Sequence, residues 1–269
     1  MTSNVEKQRR AYNQYLHEYE QAIGQTHRRL YPLAIGRWLP LLKGKEILDA
    51  GCGNAYLLRC LLDSGTQFRS YTGFDISDEM IARNTSKFSF PNVHFLVSDA
   101  ENPVEIPNHS SDVIVSYGCL HHLENPEKAI GELASKLRSG GRFLGLEVNR
   151  NHPADSFVGL YTYALGLDAM RIRQWLKAKF RRSSDVKTNY EANHPGHPGK
   201  RTCEEYITVL HNSGFENIFV ETLFLDLLPY QIYAPHPRVF QLMAAISQPI
   251  IRHTDLHVGA DLLIEATKC

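Results

Sequence analysis

From Glu46 to Val148 the chain alternates short apolar runs with stretches of helical periodicity. This rhythm constrains the fold more than any other feature. The runs are EILDAG (46–51), YTGFDI (71–76), VHFLVSD (93–99), DVIVSYG (112–118) and RFLGLEV (142–148), with helix patterns at about 55–64, 78–88 and 126–138 between them. Strand, helix and strand at this spacing build parallel βαβ units, so the expected fold is α/β with a doubly wound, mostly parallel sheet. Finer signals agree. Ser77 is placed to cap a helix whose first turn carries Asp78 and Glu79, where acidic side chains complement the helix dipole. Asn125 is placed to cap another, with Pro126 at its first position and Gly140–Gly141 just after its end.

Outside this stretch the pattern loosens. Residues up to about 42 read as helical, with Tyr12, Tyr15, Leu16, Tyr19 and Ile23 at three- and four-residue spacing on one face. Residues 151–200 hold a basic amphipathic segment, DAMRIRQWLKAKFRR (168–182), and a polar loop ending in HPGHPGK (194–200). A helix from Thr202 to Asn212, a strand FENIFVETLF (215–224), a helix at about 237–250 and a final strand VGADLLIEATK (258–268) complete a sheet of seven strands. The expected organisation is an N-terminal helical cap or lid (1–42), a ligand-binding core (43–150), an insert after the fifth strand on the acceptor side (151–200), and a C-terminal part of the same core with a helical insert (201–269).

Composition excludes several function classes. The chain of 269 residues carries 29 Lys+Arg against 29 Asp+Glu, a balance that offers no bulk attraction for nucleic acid. No apolar stretch approaches the roughly 18 residues of a transmembrane helix. The N-terminal segment lacks the apolar core of a signal peptide, and the five cysteines form no CxxC pair and fit no zinc spacing. A cytoplasmic protein with reduced thiols and no bound metal is the expectation.

The chemistry concentrates at the carboxyl ends of the strands, where open α/β sheets bind their ligands. The first strand ends at Asp49, and Gly51-Cys52-Gly53-Asn54-Ala55 turns into a helix, letting backbone pass close beneath a ligand. A dinucleotide fingerprint wants glycine at position 56, where this chain has Tyr56, which counts against a pyrophosphate ligand. Asp75, at the tip of the second strand, is placed to accept hydrogen bonds from both hydroxyls of a ribose. Asp99, at the tip of the third, is placed to accept from an exocyclic amine such as that of adenine.

These motifs resemble those of class I S-adenosylmethionine-dependent methyltransferases, in the subgroup exemplified by ubiquinone- and menaquinone-biosynthesis methyltransferases. ILDAGCGNA resembles the first motif of that family, GFDISDEMI its second-strand acid motif and VSDAENP its adenine motif. DVIVSYGCLHHLENPEKAIGELASKLRSGGRFL resembles its fourth strand and following helix, so about 100 residues are covered. The resemblance implies a Rossmann-like fold, S-adenosylmethionine as cofactor and S-adenosylhomocysteine as product. It implies that Gly51, Cys52 and Gly53 approach the methionine part and Asp49 its amino group. Asp75 would hold the ribose, Ile76 flank the adenine, and Asp99 with Ala100 meet its amino edge. The backbone of Ser116 and Tyr117 would lie near the sulfonium. Ala55 departs from the glycine found in many members.

A sulfonium methyl is already activated, so transfer needs mainly proximity and alignment, and a hydroxyl or carbon-acid acceptor must also lose a proton. His121 and His122, just beyond the fourth strand, are of the residue type whose side chain ordinarily changes charge near neutral pH and so suits that task. Packing at the strand end remains open for the pair, whereas adjacent residues rarely chelate one metal ion. If one histidine acts, His122 matches the single histidine of related enzymes, and His121 orients the loop. Glu147 and Asn149, at the tip of the fifth strand, and Tyr15 and Tyr19, on the lid helix, are candidate acceptor contacts. Aromatic residues of the covers, such as Tyr161, Trp175 and Tyr233, suggest an apolar or aromatic small-molecule acceptor, with O-methylation favoured over C- or N-methylation. Two alternatives use the same cofactor site: cyclisation or rearrangement without methyl transfer, and a non-catalytic partner subunit. The 168–182 segment reads as a surface helix more readily than as a contact with an anionic membrane. A monomer or a homodimer is expected.

Overall fold

The structure, a computed structural model, describes residues 4–14, 31–150, 198–224, 237–253 and 261–269. Its centre is one seven-stranded sheet. The strands are β1 (Glu46–Ala50), β2 (Ser70–Asp75), β3 (Val93–Val97), β4 (Ser111–Tyr117), β5 (Leu137–Val148), β6 (Phe215–Thr222) and β7 (Asp261–Lys268), in spatial order β3-β2-β1-β4-β5-β7-β6. Strands β1 to β5 pair in parallel, and β7 lies antiparallel between β5 and β6. The strand order reverses between β1 and β4, which opens a crevice at their carboxyl ends.

The helices are α1 (Asn4–Gln14), α2 (31–42), α3 (Tyr56–Asp63), α4 (Asp78–Lys87), α5 (Pro126–Lys136), α6 (Cys203–Asn212) and α7 (Pro237–His253). Successive strand residues feed two apolar layers, as the period of two requires. Ile47, Val113, Val115 and Leu144 face a cluster with Trp38 of α2 and Leu57, Leu58 and Leu61 of α3. Leu48, Ile114 and Phe143 face the opposite cluster with Ile130 and Leu133 of α5 and Tyr206 and Leu210 of α6. Both faces of the central strands are therefore buried, which explains why they read as continuous apolar runs.

The expected caps form. Ser77 Oγ accepts from Met80 N at 3.1 Å, and Asn125 Oδ1 accepts from Lys128 N at 3.0 Å. Thr202 and Glu205 close a reciprocal capping box at the start of α6. Helix α5 differs from expectation at its end. It stops at Lys136, and Leu137 already pairs with Ser111, so Gly140–Gly141 does not cap the helix. Gly140, at φ +73°, instead lies within β5, where the register shifts between Ser111 and Val113. The irregularity there takes one residue into left-handed backbone, which glycine adopts at little cost.

Candidate active site

The crevice floor is the turn after β1. Gly51 (φ +70°) and Gly53 (φ +48°) adopt left-handed backbone, and a Cβ on Gly51 would lie 2.5 Å from Cys119 Sγ. Only a bare backbone fits between β1 and the β4 tip. Ala55 precedes α3 in the left-handed region too, at φ 56°, where a Cβ costs roughly 1–2 kcal/mol. The turn is tied to β2 and α4. Cys52 N donates to Phe74 O at 2.9 Å, Gly53 N to Asp75 Oδ2 at 2.9 Å, and Asn84 Nδ2 to Gly53 O at 2.7 Å.

Three acids surround this floor in different states. Asp75 is half-buried on the cleft wall, its Oδ1 accepting from Ser77 N at 2.9 Å. Burial raises its pKa, opposed by the N–H groups of Ser77, Gly53 and Ile76. Asp99 Oδ1 accepts from Glu101 N at 2.9 Å, closing a tight turn that brings Ala100 to the cleft. Asp49 lies beneath the floor, fully buried. Its Oδ2 accepts from Tyr71 Oη at 2.5 Å, while Oδ1 has no hydrogen-bond partner. Burial pushes its carboxyl up to about 7, with the Tyr71 hydroxyl opposing the rise and the charge of Asp75 adding to it. The Cys52 and Cys119 thiols are also raised well above 9.0 by burial, which keeps them protonated rather than nucleophilic.

The far wall is the tip of β4. Tyr117 and Gly118 line the cleft, and Leu120–His122 forms a single 3-10 turn. Here the two histidines part. His122 lines the cleft, with its ring 5.9 Å from that of Tyr12 at 88°. His121 is buried, its Nδ1 2.8 Å from Glu147 Oε2, and its ring lies 4.0 Å from the ring of His122.

Helix α1 spans the cleft. Gln8 donates its side-chain amide to the His122 carbonyl, Arg9 Nε donates to Ile76 O at 3.2 Å, and Ser77 Oγ donates to Asn13 Oδ1 at 2.7 Å. One helix thus joins the tips of β2 and β4 above the floor. The cleft and its open mouth together hold about 770 Å³ of space free of protein atoms.

Of the residues expected from sequence, Gly51, Cys52, Gly53, Asp75, Ile76, Asp99, Ala100, Tyr117 and His122 line this one cleft. Asp49 and Ser116 lie buried behind it. Glu147 is placed otherwise than expected. At 1% exposure it is turned into the protein, because backbone N–H groups of the β4 tip claim its carboxylate. Asn149 is likewise buried, in a backbone bridge with Arg201. Tyr15, Tyr19 and the 168–182 segment lie outside the described residues.

Gln8, Tyr12 and Tyr31 line the cleft unanticipated. Tyr12 stood in the aromatic stripe of the N-terminal helix, but periodicity alone did not separate it from its neighbours. Tyr31 packs edge-on against Tyr117, with ring centroids 5.0 Å apart, and no sequence signal marked it.

The donor set fits S-adenosylmethionine. The floor is a glycine cradle, and the described lining carries the carboxylates of Asp75 and Asp99 with no lysine or arginine, which suits a cationic sulfonium. Beneath it, Asp49 Oδ1 is a buried acceptor without a donor. Among the described residues, no group of three or more His, Cys, Asp or Glu side chains is placed to hold a metal ion. No helix among them is long and apolar enough to cross a membrane.

Comparison with known proteins agrees with this geometry. A family model described as a methyltransferase domain matches residues 48–145. The chain is 27% identical over 184 residues to a ubiquinone biosynthesis O-methyltransferase of Coxiella burnetii, covering 56% of this chain and 77% of the relative. It is 32% identical over 139 residues to an S-adenosyl-L-methionine-dependent Diels-Alderase of Talaromyces variabilis, covering 50% of this chain and 46% of that protein. Among solved structures, a Haloferax volcanii methyltransferase in complex with the Trm112 methyltransferase activator has a TM-score of 0.63 at 15% identity, covering 97% of this chain and 96% of that one. Residues 48–145 carry a methyltransferase domain, and the strand order and glycine cradle around it are those of a class I S-adenosylmethionine-dependent methyltransferase.

Proposed function

We propose that this methyltransferase acts on a hydroxyl of a small apolar or aromatic molecule, with His122 as the base that takes the hydroxyl proton. The observation that carries this reading is the position of His122, on the wall of the cleft that Gly51, Asp75 and Asp99 also line. S-adenosylmethionine supplies an electrophilic methyl on a positively charged sulfur. The chain does the rest. Gly51 and Gly53 admit the ligand close to the backbone, and Asp75 and Asp99 fix its ribose and adenine ends. Tyr12, Tyr31 and Tyr117 offer ring faces to an aromatic acceptor and keep water out. A ring nitrogen of His122 would take the hydroxyl proton as the acceptor oxygen gains the methyl group that the cofactor would supply. The O-methyltransferase among the relatives supports oxygen as the target.

Within this reading the chain divides as its composition suggests, with 1–42 as a cap, 43–150 as the cofactor core and 151–200 on the acceptor side. The Diels-Alderase relative supports a second reading, in which the bound cofactor promotes bond formation without losing its methyl. Methyl-labelled S-adenosylmethionine separates the two when it is incubated with the protein and a panel of phenols and a metabolite extract. Transfer of label into an organic-soluble product supports methylation, whereas a new product formed without label overturns it. In the same assay His122→Ala is expected to lower turnover by about 10²–10⁴-fold. Its affinity for S-adenosylhomocysteine should stay within about threefold, and turnover within about threefold of wild type would remove His122 as base.

A further inference from the structure

Glu147 is a buried carboxylate that the transfer chemistry does not use directly, and its surroundings are unusually complete. Its Oε1 accepts from Cys119 N at 3.1 Å and Leu120 N at 2.9 Å. Its Oε2 accepts from His121 N at 3.2 Å and meets His121 Nδ1 at 2.8 Å. A carboxylate has about four acceptor positions, and here all are taken by one short segment. That segment is the tip of β4 and the 3-10 turn that ends in His122. The other side of the turn is held as well, because Gly199 N donates to His121 O at 3.0 Å and any side chain at 199 would run into the Leu120 carbonyl.

We infer that Glu147 is a positioning residue for methyl transfer: by collecting the N–H groups of Cys119 to His121 and the Nδ1–H of His121, it holds the 3-10 turn in the one form that presents His122 to the cleft. The inference rests on the reading of His122 given above. Several consequences follow from the geometry. With Nδ1–H directed at Glu147, the neutral His121 ring has its proton on Nδ1 and a lone pair on Nε2. The His121 ring then backs that of His122 at 4.0 Å and limits its rotation. Glutamine cannot replace Glu147, since its amide presents two donors where the turn also presents donors.

Three measurements on the full chain test this. In wild type, long-range nitrogen–proton NMR spectra should show His121 as the Nδ1–H tautomer, and an Nε2–H tautomer would overturn the inference without any variant. Glu147→Gln should shift the His122 ring resonances. It should also lower transfer of label from methyl-labelled S-adenosylmethionine into the metabolite extract by about 10²-fold, the scale of a misplacement near 1 Å. Affinity for S-adenosylhomocysteine should stay within about threefold. Should that variant fail to fold, His121→Asn and His121→Ala replace it. Asparagine retains a donor at the Nδ1 position, so it should keep about tenfold more transfer than alanine, and equal losses would overturn the inference. If wild type transfers no label at all, the assignment of methyl transfer fails while the NMR readouts still judge Glu147. If transfer proceeds and Glu147→Gln leaves both turnover and the His122 resonances unchanged, Glu147 alone is wrongly assigned.

Discussion

Asp75 and Glu147 both sit near the carboxyl end of a parallel strand, and both accept hydrogen bonds from backbone N–H groups, yet they do different work. Asp75 meets the N–H groups of Gly53, Ser77 and Ile76, and remains half-buried on the cleft wall with an acceptor position to spare. Glu147 meets four donors and is sealed from solvent. The number of donors that the protein itself supplies, rather than the strand-tip position, decides which carboxylate is left for a ligand. Asp49 extends the series, since it is as buried as Glu147 but receives a single donor, Tyr71. A buried carboxylate with so little compensation holds its proton to higher pH.

The largest expected effect breaks this series at Asp49. Its carboxyl titrates at about 7 in the folded chain against 3.8 in its ordinary state. Between those values the folded protein binds a proton that the unfolded chain has released. Stability from this group is therefore greatest below pH 3.8, falls as pH rises to about 7 and levels off above it. The slope is at most about 1.4 kcal/mol per pH unit, which sums to an effect on the order of 4 kcal/mol. Melting curves of Asp49→Asn and wild type, compared at pH 5 and pH 8, should show the variant gaining on wild type at the higher pH. A constant difference would mean that Asp49 is already ionised in the folded state. Asparagine places an unpaired donor at Oδ1, so only the pH-dependent part of the difference is read.

Next in size is Asp75→Ala. Hydrogen bonds to a charged acceptor contribute about 1.5–3 kcal/mol each, so affinity for S-adenosylmethionine should fall at least about tenfold in calorimetry. Unchanged affinity would contradict the donor-count argument at the residue where capacity remains. The smallest effect is expected at Ala55→Gly. Relief of the left-handed backbone, roughly 1–2 kcal/mol, is offset by the loss of a buried methyl and by greater freedom of the unfolded chain. The melting free energy should move by less than about 1 kcal/mol, and a larger gain would show that the turn below the ligand stores more strain than its φ implies.

Sequence reading reached furthest where the signal is local. The seven strands follow from apolar runs, and the caps at Ser77 and Asn125 follow from side chains that bond backbone three residues on. The Gly51–Gly53 floor and the cleft-facing Asp75 and Asp99 were legible for the same reason, because a strand tip and its turn lie within a few residues. The boundary between α5 and β5 was not, since Gly140 reads as a helix stop but serves a shift in strand register.

The sequence by itself determined the alternation of strands and helices, the glycine turn, and hence the family and its cofactor. Only tertiary structure decided what each polar side chain at the rim does. Donors to Glu147 come from 26 to 28 residues away, and Gln8 reaches His122 across 114. Spacing along the chain carries no record of such encounters. Which histidine faces the cleft, which carboxylate is saturated and which tyrosines close the pocket depend on donors and packing partners that meet only when the sheet has folded.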